Sequence, residues 1–512
     1  MFKRLLINLL LLVFICFNVN AQEVYEKSDN EVVKYLSNLS NKGIINFNDL
    51  ILPVPKNKII EGLDNAYLNI DKLNNIEKSE LLFYRKEFNT SIKKIKLLPI
   101  FSGALDKGSN KNFTISGIGV NTWGTLSKKI SFEFSFQDVN LKGTGLDTST
   151  KNISSGSVPG HVFLNDPLKI NYQNYTELRA GLTYSFLNGH IFFGQDQLNW
   201  GYGENGKLVL SDKAPNYPMI RIDYALYPWL NFNYTHAWLE SNMIDSSLSY
   251  PIATRVFPSF REVNIQKFMA SHSLNFTLKK GVNLAIGESM IYNDHLSVGY
   301  LLPVMFFKAY DNLTNRGVIQ AGSNGQFFLQ LNTKNYLIPK FSFYTTLFID
   351  EIRVSSIFDK LNARNQIGFN IGCKQADFLV PNLNIGMEYT RINPFVYRNF
   401  LPAQDYTSNG YLLGEWIGEN ADKFIGSVSY TPIPKLKLYL RYQKIRKGDS
   451  ASIHDQYFSK PQPSFLNTIQ YTSNELYFKT SYQYINRLNI YLTLTRSSYN
   501  YQNAQVGFSY GL

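Results

Sequence analysis

Cysteine is nearly absent. Of 512 residues only Cys16 and Cys373 carry a thiol. Cys16 sits in an N-terminal apolar run that reads as an export signal, so the mature chain keeps one thiol and no intramolecular disulfide can form. Six histidines lie scattered without metal-ligand spacing, which gives no reason to expect a metal or other cofactor. The G-x-S-x-G elbow of serine hydrolases does not occur. Asp294-His295 with a loop serine is a faint hydrolase hint, but a triad is defined by geometry, and the chain reads as a non-enzyme. Long apolar runs are lacking too. Leu5 to Phe17, broken by Asn8, is shorter than the roughly 20 residues a membrane helix needs.

That run follows Lys3 and Arg4 and precedes Val19-Asn20-Ala21, which offers a small residue for cleavage and leaves Gln22 as the mature start. Residues 1–21 are therefore read as a signal peptide. Ile15 is too bulky for lipoprotein cleavage before Cys16. The formal charge is +12, about +10 once Lys3 and Arg4 are removed. In an envelope protein such a balance favours acidic glycans or lipopolysaccharide phosphates as neighbours. The charges are dispersed, so nucleic acid is not an expected partner.

Residues 22–95 read as a periplasmic helical domain. Ser28 with Glu31 forms a capping box, and Val32, Tyr35, Leu36 and Leu39 repeat at helical spacing. Pro53-Val54-Pro55 forces an extended approach to the next helix. Its stripe is Ile59, Ile60, Leu63, Tyr67, Ile70 and Leu73. Asn74 with Glu77 marks a weaker cap before Leu81, Leu82, Arg85 and Phe88. The helices can pack on one another or on a rim, where a periplasmic partner would dock, or form a plain spacer.

From residue 96 the period changes from 3.6 to 2. Ile130, Phe132, Phe134 and Phe136 alternate with Ser131, Glu133, Ser135 and Gln137; Leu436 to Gln443, Leu488 to Thr495 and Gln505 to Leu512 repeat the pattern. Large apolar or aromatic sets opposite faces carrying Lys, Arg and Glu fit lipid outside and a polar lumen inside. Eighteen strands are expected: 96–104, 112–120, 130–139, 175–186, 190–199, 217–224, 229–240, 265–278, 282–292, 325–334, 340–350, 364–374, 382–391, 421–431, 435–446, 475–485, 488–498 and 503–512. The weak first strand is required by parity. With the N-terminus periplasmic, including it puts tight turns such as Asn188-Gly189 and Lys279-Lys280-Gly281 on one side and every long segment outside. The fold class is thus an all-β transmembrane barrel, residues 96–512, behind a small α-helical domain, placed in the bacterial outer membrane.

Three stretches between strands are distinctive: Gly194-Gln195-Asp196-Gln197-Leu198-Asn199-Trp200-Gly201-Tyr202-Gly203 continuing to Leu210-Ser211-Asp212-Lys213-Ala214-Pro215; Glu388-Tyr389-Thr390-Arg391-Ile392-Asn393-Pro394-Phe395-Val396-Tyr397; and Leu413-Gly414-Glu415-Trp416-Ile417-Gly418-Glu419-Asn420-Ala421-Asp422. With the helical N-terminus they resemble the Wzi-like capsule-assembly family in its Bacteroidetes form. The resemblance implies an eighteen-stranded barrel whose outer loops bind capsular polysaccharide and help attach it to the cell.

The loop chemistry suits an acidic capsular or exopolysaccharide. Trp200, Tyr202, Trp416, Phe395 and Tyr397 offer flat faces to sugar rings. Arg391, Arg398, Lys207 and Lys213 can pair with uronate or phosphate, and Asn205, Asn393, Asn420 and Glu204 can bond hydroxyls. The same residues can instead pack loops, brace the lumen through Asp196 and Arg391, or form membrane girdles with Trp200 and Trp416. A passive pore is the alternative function, since eighteen strands enclose room for water, although the loops are long enough to fold inward.

Overall fold

The computed structural model describes residues 24–511, apart from 27–29, 89–94, 147–159, 165–170, 253–258, 316–321, 353–354, 356, 360, 451–455, 486 and 499–501. The export signal, Ser28 and Leu512 lie outside the described residues.

The period-2 stretches form eighteen antiparallel barrel strands. They are β1 (Lys96–Gly108), β2 (Asn112–Thr125), β3 (Ile130–Thr144), β4 (Tyr172–Phe186), β5 (Gly189–Asp196) and β6 (Tyr217–Tyr227). Next come β7 (Leu230–Ile244), β8 (Asn264–Lys279), β9 (Val282–Asn293), β10 (Asn324–Lys334), β11 (Phe341–Ile352) and β12 (Asn365–Gln375). The last are β13 (Leu383–Ile392), β14 (Ala421–Tyr430), β15 (Leu436–Gly448), β16 (Ile469–Ile485), β17 (Leu488–Ser497) and β18 (Gln502–Tyr510). The weak first strand is present and carries the closure: Tyr510 lies opposite Phe101 and Asn503 opposite Gly108. One boundary moves. Residues 469–471 were expected in a loop, but Tyr471 pairs with Lys447 and Ile469 with Gly448, so β16 starts earlier.

Phe134, Phe136, Leu440, Ile490, Val506 and Phe508 face outward and are exposed, whereas Ser131, Gln137, Arg441 and Gln443 are buried inside. Near the short turns, Tyr227 stacks on Trp229 at 5.6 Å and Trp229 on Phe276 at 6.2 Å, an interfacial aromatic belt. All the long connections leave from the opposite end.

Three helices precede the barrel: α1 (Glu31–Asn41), α2 (Lys56–Leu68) and α3 (Asn75–Phe88). The cap of α1 is Asn30 rather than Ser28. Its Oδ1 accepts from Val32 N at 3.0 Å, and Glu26 holds its amide at 2.8 Å. Asn74 and Glu77 form a full capping box, each side chain accepting from the other's backbone N–H at 3.0 and 2.9 Å. Val32, Leu36, Leu39, Ile59, Leu63 and Leu81 make the core; Ala66 takes the inward place expected of Tyr67, which is exposed, as is Leu82. The bundle packs against the barrel as well as on itself. It fills the short-turn mouth of the barrel, where Lys42 bridges Glu77 and Asp377, Glu80 meets Lys437, Asp49 meets Lys334 at 2.6 Å and Glu87 meets Arg487 at 3.3 Å.

Candidate functional site within the in-folded loops

The loop after β5 turns into the lumen. Asn199–Trp200 pairs antiparallel with Ile51–Leu52 of the helical domain, and Gly201 N donates to Leu50 O at 2.8 Å. Chain entering from the long-loop end therefore meets chain entering from the short-turn end inside the barrel. The reason is composition. Leu208-Val209-Leu210, Tyr406, Leu413 and Ile417 cannot stay in water, and they pack with Trp200, Met269, Phe328, Phe348 and Tyr397 into one lumenal core.

A polar layer surrounds that core. Glu204 accepts from Tyr439 OH at 2.5 Å and Ser427 Oγ at 3.0 Å, and Lys374 stands 3.6 Å away. Glu388 accepts from Glu204 N at 2.8 Å and Tyr344 OH at 2.7 Å. Lys423 bridges Glu415 at 2.8 Å with both side chains almost wholly enclosed. Gly206, at φ +137°, lies against the Glu415 carboxylate, where a Cβ would overlap it. Trp416 Nε1 donates to Asn205 O at 2.6 Å, Asn205 Nδ2 to Gln443 Oε1 at 2.8 Å, and Tyr202 OH to Asp49 at 3.0 Å. Burial lowers Lys207 to about 8, and it has no ion pair among the described residues.

The three distinctive stretches therefore fold into the mouth instead of standing on the surface, a correction to the expected placement. Trp200, Lys213, Phe395, Tyr397 and Asn420 are buried. Tyr397 OH donates to Leu208 O at 2.7 Å, and Asn420 Oδ1 accepts from Leu466 N at 2.7 Å. Neither Trp200 nor Trp416 is a membrane girdle. Tyr202, Glu204, Asn205, Lys207, Asn393 and Trp416 are half-buried. Arg391 lies 3.8 Å over the Phe465 ring and donates to Asn393 at 3.0 Å. Arg398 bridges Asp405 at 2.8 Å and Glu419 at 3.3 Å. Asp196 braces the wall through Arg179 at 2.6 Å.

Sequence reasoning did not anticipate a cleft of about 360 Å³ between these loops and β4–β5. Its lining includes His161, Glu177, Gln195, Asp212, Asn216 and Asn409. His161 stacks on Tyr175 at 3.9 Å and 15°. Tyr411 OH clamps the His161 backbone, donating to its O at 2.7 Å and accepting from its N at 3.3 Å. Burial outweighs Glu177 and holds the imidazole below its ordinary pKa. The legible signal was the period-2 placement of Tyr175, Glu177 and Arg179 on one face; His161 had none. The cleft thus sets the His161 ring, backed by Tyr175, among carboxylates and carboxamides.

A family model described as capsule assembly protein Wzi matches residues 171–508. The chain belongs to the Wzi capsule assembly family. Its fold is that of the outer-membrane protein Wzi of Escherichia coli, described as a carbohydrate-binding β-barrel involved in group 1 capsule assembly. The identity is 14%, the TM-score 0.61, and the match covers 96% of this chain and 100% of that one. Pseudomonas aeruginosa OccK8 (OprE) and Acinetobacter baumannii OccAB2 match at TM-scores of 0.45 and 0.46 with 12% and 10% identity. Each match covers 81% of this chain, and 98% and 97% of theirs. No curated protein sequence matches. Like the E. coli protein, this Wzi-family barrel resides in the outer membrane.

Proposed function

We propose that this Wzi-family barrel holds capsular polysaccharide at the cell surface by binding it in the mouth formed by the long loops. The observation that carries the reading is the cleft lined by His161, whose ring is backed by Tyr175, among carboxamides and carboxylates. A sugar ring presents an apolar C–H face and a rim of hydroxyls, and a flat ring beside planar polar groups complements both. Of the residues expected to touch glycan, the half-buried Asn393, Arg398 and Trp416 border the mouth; Trp200, Phe395, Tyr397 and Asn420 support it from beneath, and Tyr202 reaches down to Asp49 of the helical domain. Lys207 and Arg391 supply positive charge for uronate or phosphate.

Residues 1–21 are removed as a signal, the 22–95 bundle faces the periplasm, where it can dock a partner, and the long loops face outward beside lipopolysaccharide. Short periplasmic turns and long external loops support that orientation. The protein acts as a holder and not as an enzyme. The passive-pore alternative is disfavoured because the Trp200–Ile51 pairing crosses the lumen.

Pull-down of the strain's own capsule by purified barrel tests the reading. Wild type should retain glycan and a His161→Ala, Tyr175→Ala double variant should retain at least about tenfold less. Equal retention would remove the cleft from the account, and robust sugar flux in liposome swelling would favour the pore.

A further inference from the structure

Side-chain parity marks an anomaly on the outer wall. On β8 the residues Met269, Ser271, Ser273 and Asn275 are buried on the lumen side, so Phe268, Ala270, His272 and Leu274 face lipid. On β9 the lipid face is Ile286, Glu288, Met290 and Tyr292. His272 lies opposite Glu288 near the middle of both strands. Phe276 of the aromatic belt is only four residues away, roughly 10 Å along a tilted strand, so this pair stands near the centre of an apolar band about 25 Å tall. A carboxylate and an imidazole at that depth need partners other than lipid.

The connection between β9 and β10 provides them. It folds down outside the barrel, carrying a short helix α4 (Phe307–Thr314). Glu288 accepts from Phe307 N at 2.6 Å, and His272 Nε2 meets Glu288 at 3.0 Å while its Nδ1 reaches Pro303 O at 2.9 Å. Phe307 stacks on His272 at 4.4 Å, and Tyr234 OH, from the lipid face of β7, donates to Tyr300 O at 2.8 Å. Tyr234, Phe268, Ala270, Met290 and Tyr292 are buried under Tyr300 and Phe307 in a core separate from that of the lumen. Between those anchors Leu302, Val304 and Phe306 point away from the barrel and are exposed, Val304 to 87%.

We propose that residues 300–307 form a flap inserted in the membrane, with Leu302, Val304 and Phe306 in contact with the acyl chains of the outer leaflet and Glu288–His272 as the polar pin that holds it to the wall. Three observations commit the occupant to lipid rather than a protein or solvent. The outward row is wholly apolar, it lies over strands whose neighbouring outward residues Leu274, Ile286, Phe327 and Leu329 are themselves exposed apolar groups, and its pin stands at mid-band height. The flap is also tied to the in-folded loops. Gln404 Nε2 donates to Asn293 Oδ1 and to Gly322 O, both at 2.8 Å, at the two roots of the flap, and Asn324 Nδ2 donates to Gln404 O at 3.0 Å. Lipid contact on the outside is thus mechanically joined to the loop that lines the mouth.

A nitroxide at Val304→Cys, in a Cys373→Ser background and reconstituted in phospholipid vesicles, tests this. Collision rates with oxygen and with a water-soluble nickel chelate should match those of a label at Ile286→Cys on the bare wall, and the nickel rate should fall at least about fivefold below that at Asn312→Cys. Adding Glu288→Leu to the Val304 label should raise nickel access while the barrel stays folded by heat-modifiable migration. Nickel access at Val304 equal to that at Asn312 would overturn the proposal. So would dipolar coupling between labels of two molecules, which would make a second copy the occupant.

Discussion

Replacing Lys423 by Met should cost this barrel about 3–5 kcal/mol, because it leaves the Glu415 carboxylate buried without its cation. The Lys423 ammonium lies 2.8 Å from Glu415 Oε2 and 3.2 Å from the backbone oxygens of Glu204 and Asn205, and exposure of the two side chains is 0% and 1%. The bridge fastens both in-folded stretches to β14, so its loss should free the loops together. Replacing both partners, Lys423→Met with Glu415→Leu, removes the desolvation of both charges and should come within about 1 kcal/mol of wild type. Burial pushes the Glu415 carboxyl up from its ordinary value. Without Lys423 it takes up a proton readily, so the single-variant deficit should shrink as pH falls. Urea unfolding in detergent, followed by tryptophan fluorescence, reads all four corners of the cycle. A Lys423→Met cost below about 1 kcal/mol, or a double variant equal to the sum of the singles, would rule out a coupled, desolvated charge pair at this position.

Trp200→Ala should cost roughly 3–5 kcal/mol in the same assay, since it empties the middle of the lumenal core. Gly206→Ala combines a φ of +137° with a side chain aimed at Glu415, and should lower the folded fraction recovered after refolding, read by heat-modifiable migration. Burial alone would raise the pKa of Glu419, but Lys447 and Arg398 overcome it and lower Glu419 from 4.5 to about 2. A depressed carboxylate contributes stability above its unfolded pKa and loses it as pH falls, so the wild-type unfolding midpoint should drop between about pH 4.5 and 2, and Glu419→Gln should flatten that drop.

The wall was legible because lipid imposes the same demand on every strand. Leu440 and Ile490 must face out, Arg441 and Thr493 must face in, and parity then forces even the weak Lys96–Gly108 strand. The interior was less legible. Trp200 meets Ile51 across nearly 150 residues of chain, and no local period records that meeting. The stack of His161 on Tyr175 is likewise nonlocal, so no local pattern marks it, and the motif residues draw attention to their own supports. The α1 cap was misplaced for a smaller reason. Ser28 and Asn30 can both cap by residue type, and the Asn30 side chain is held on the helix end by Glu26 and Val32 N. The 293–324 segment reads as an outer loop because polar residues border it; the descent of residues 300–307 along the wall depends on Glu288, a charge that strand periodicity alone would place in lipid.

Polysaccharide held on the cell by the long-loop mouth is the function that most needs testing. The direct measurement is polysaccharide staining of cells against culture medium, in a deletion strain complemented with wild type or with the His161→Ala, Tyr175→Ala variant. The account predicts glycan attached with wild type, and glycan synthesised but shed into the medium with the deletion and the variant. Normal attachment in the deletion strain would contradict it.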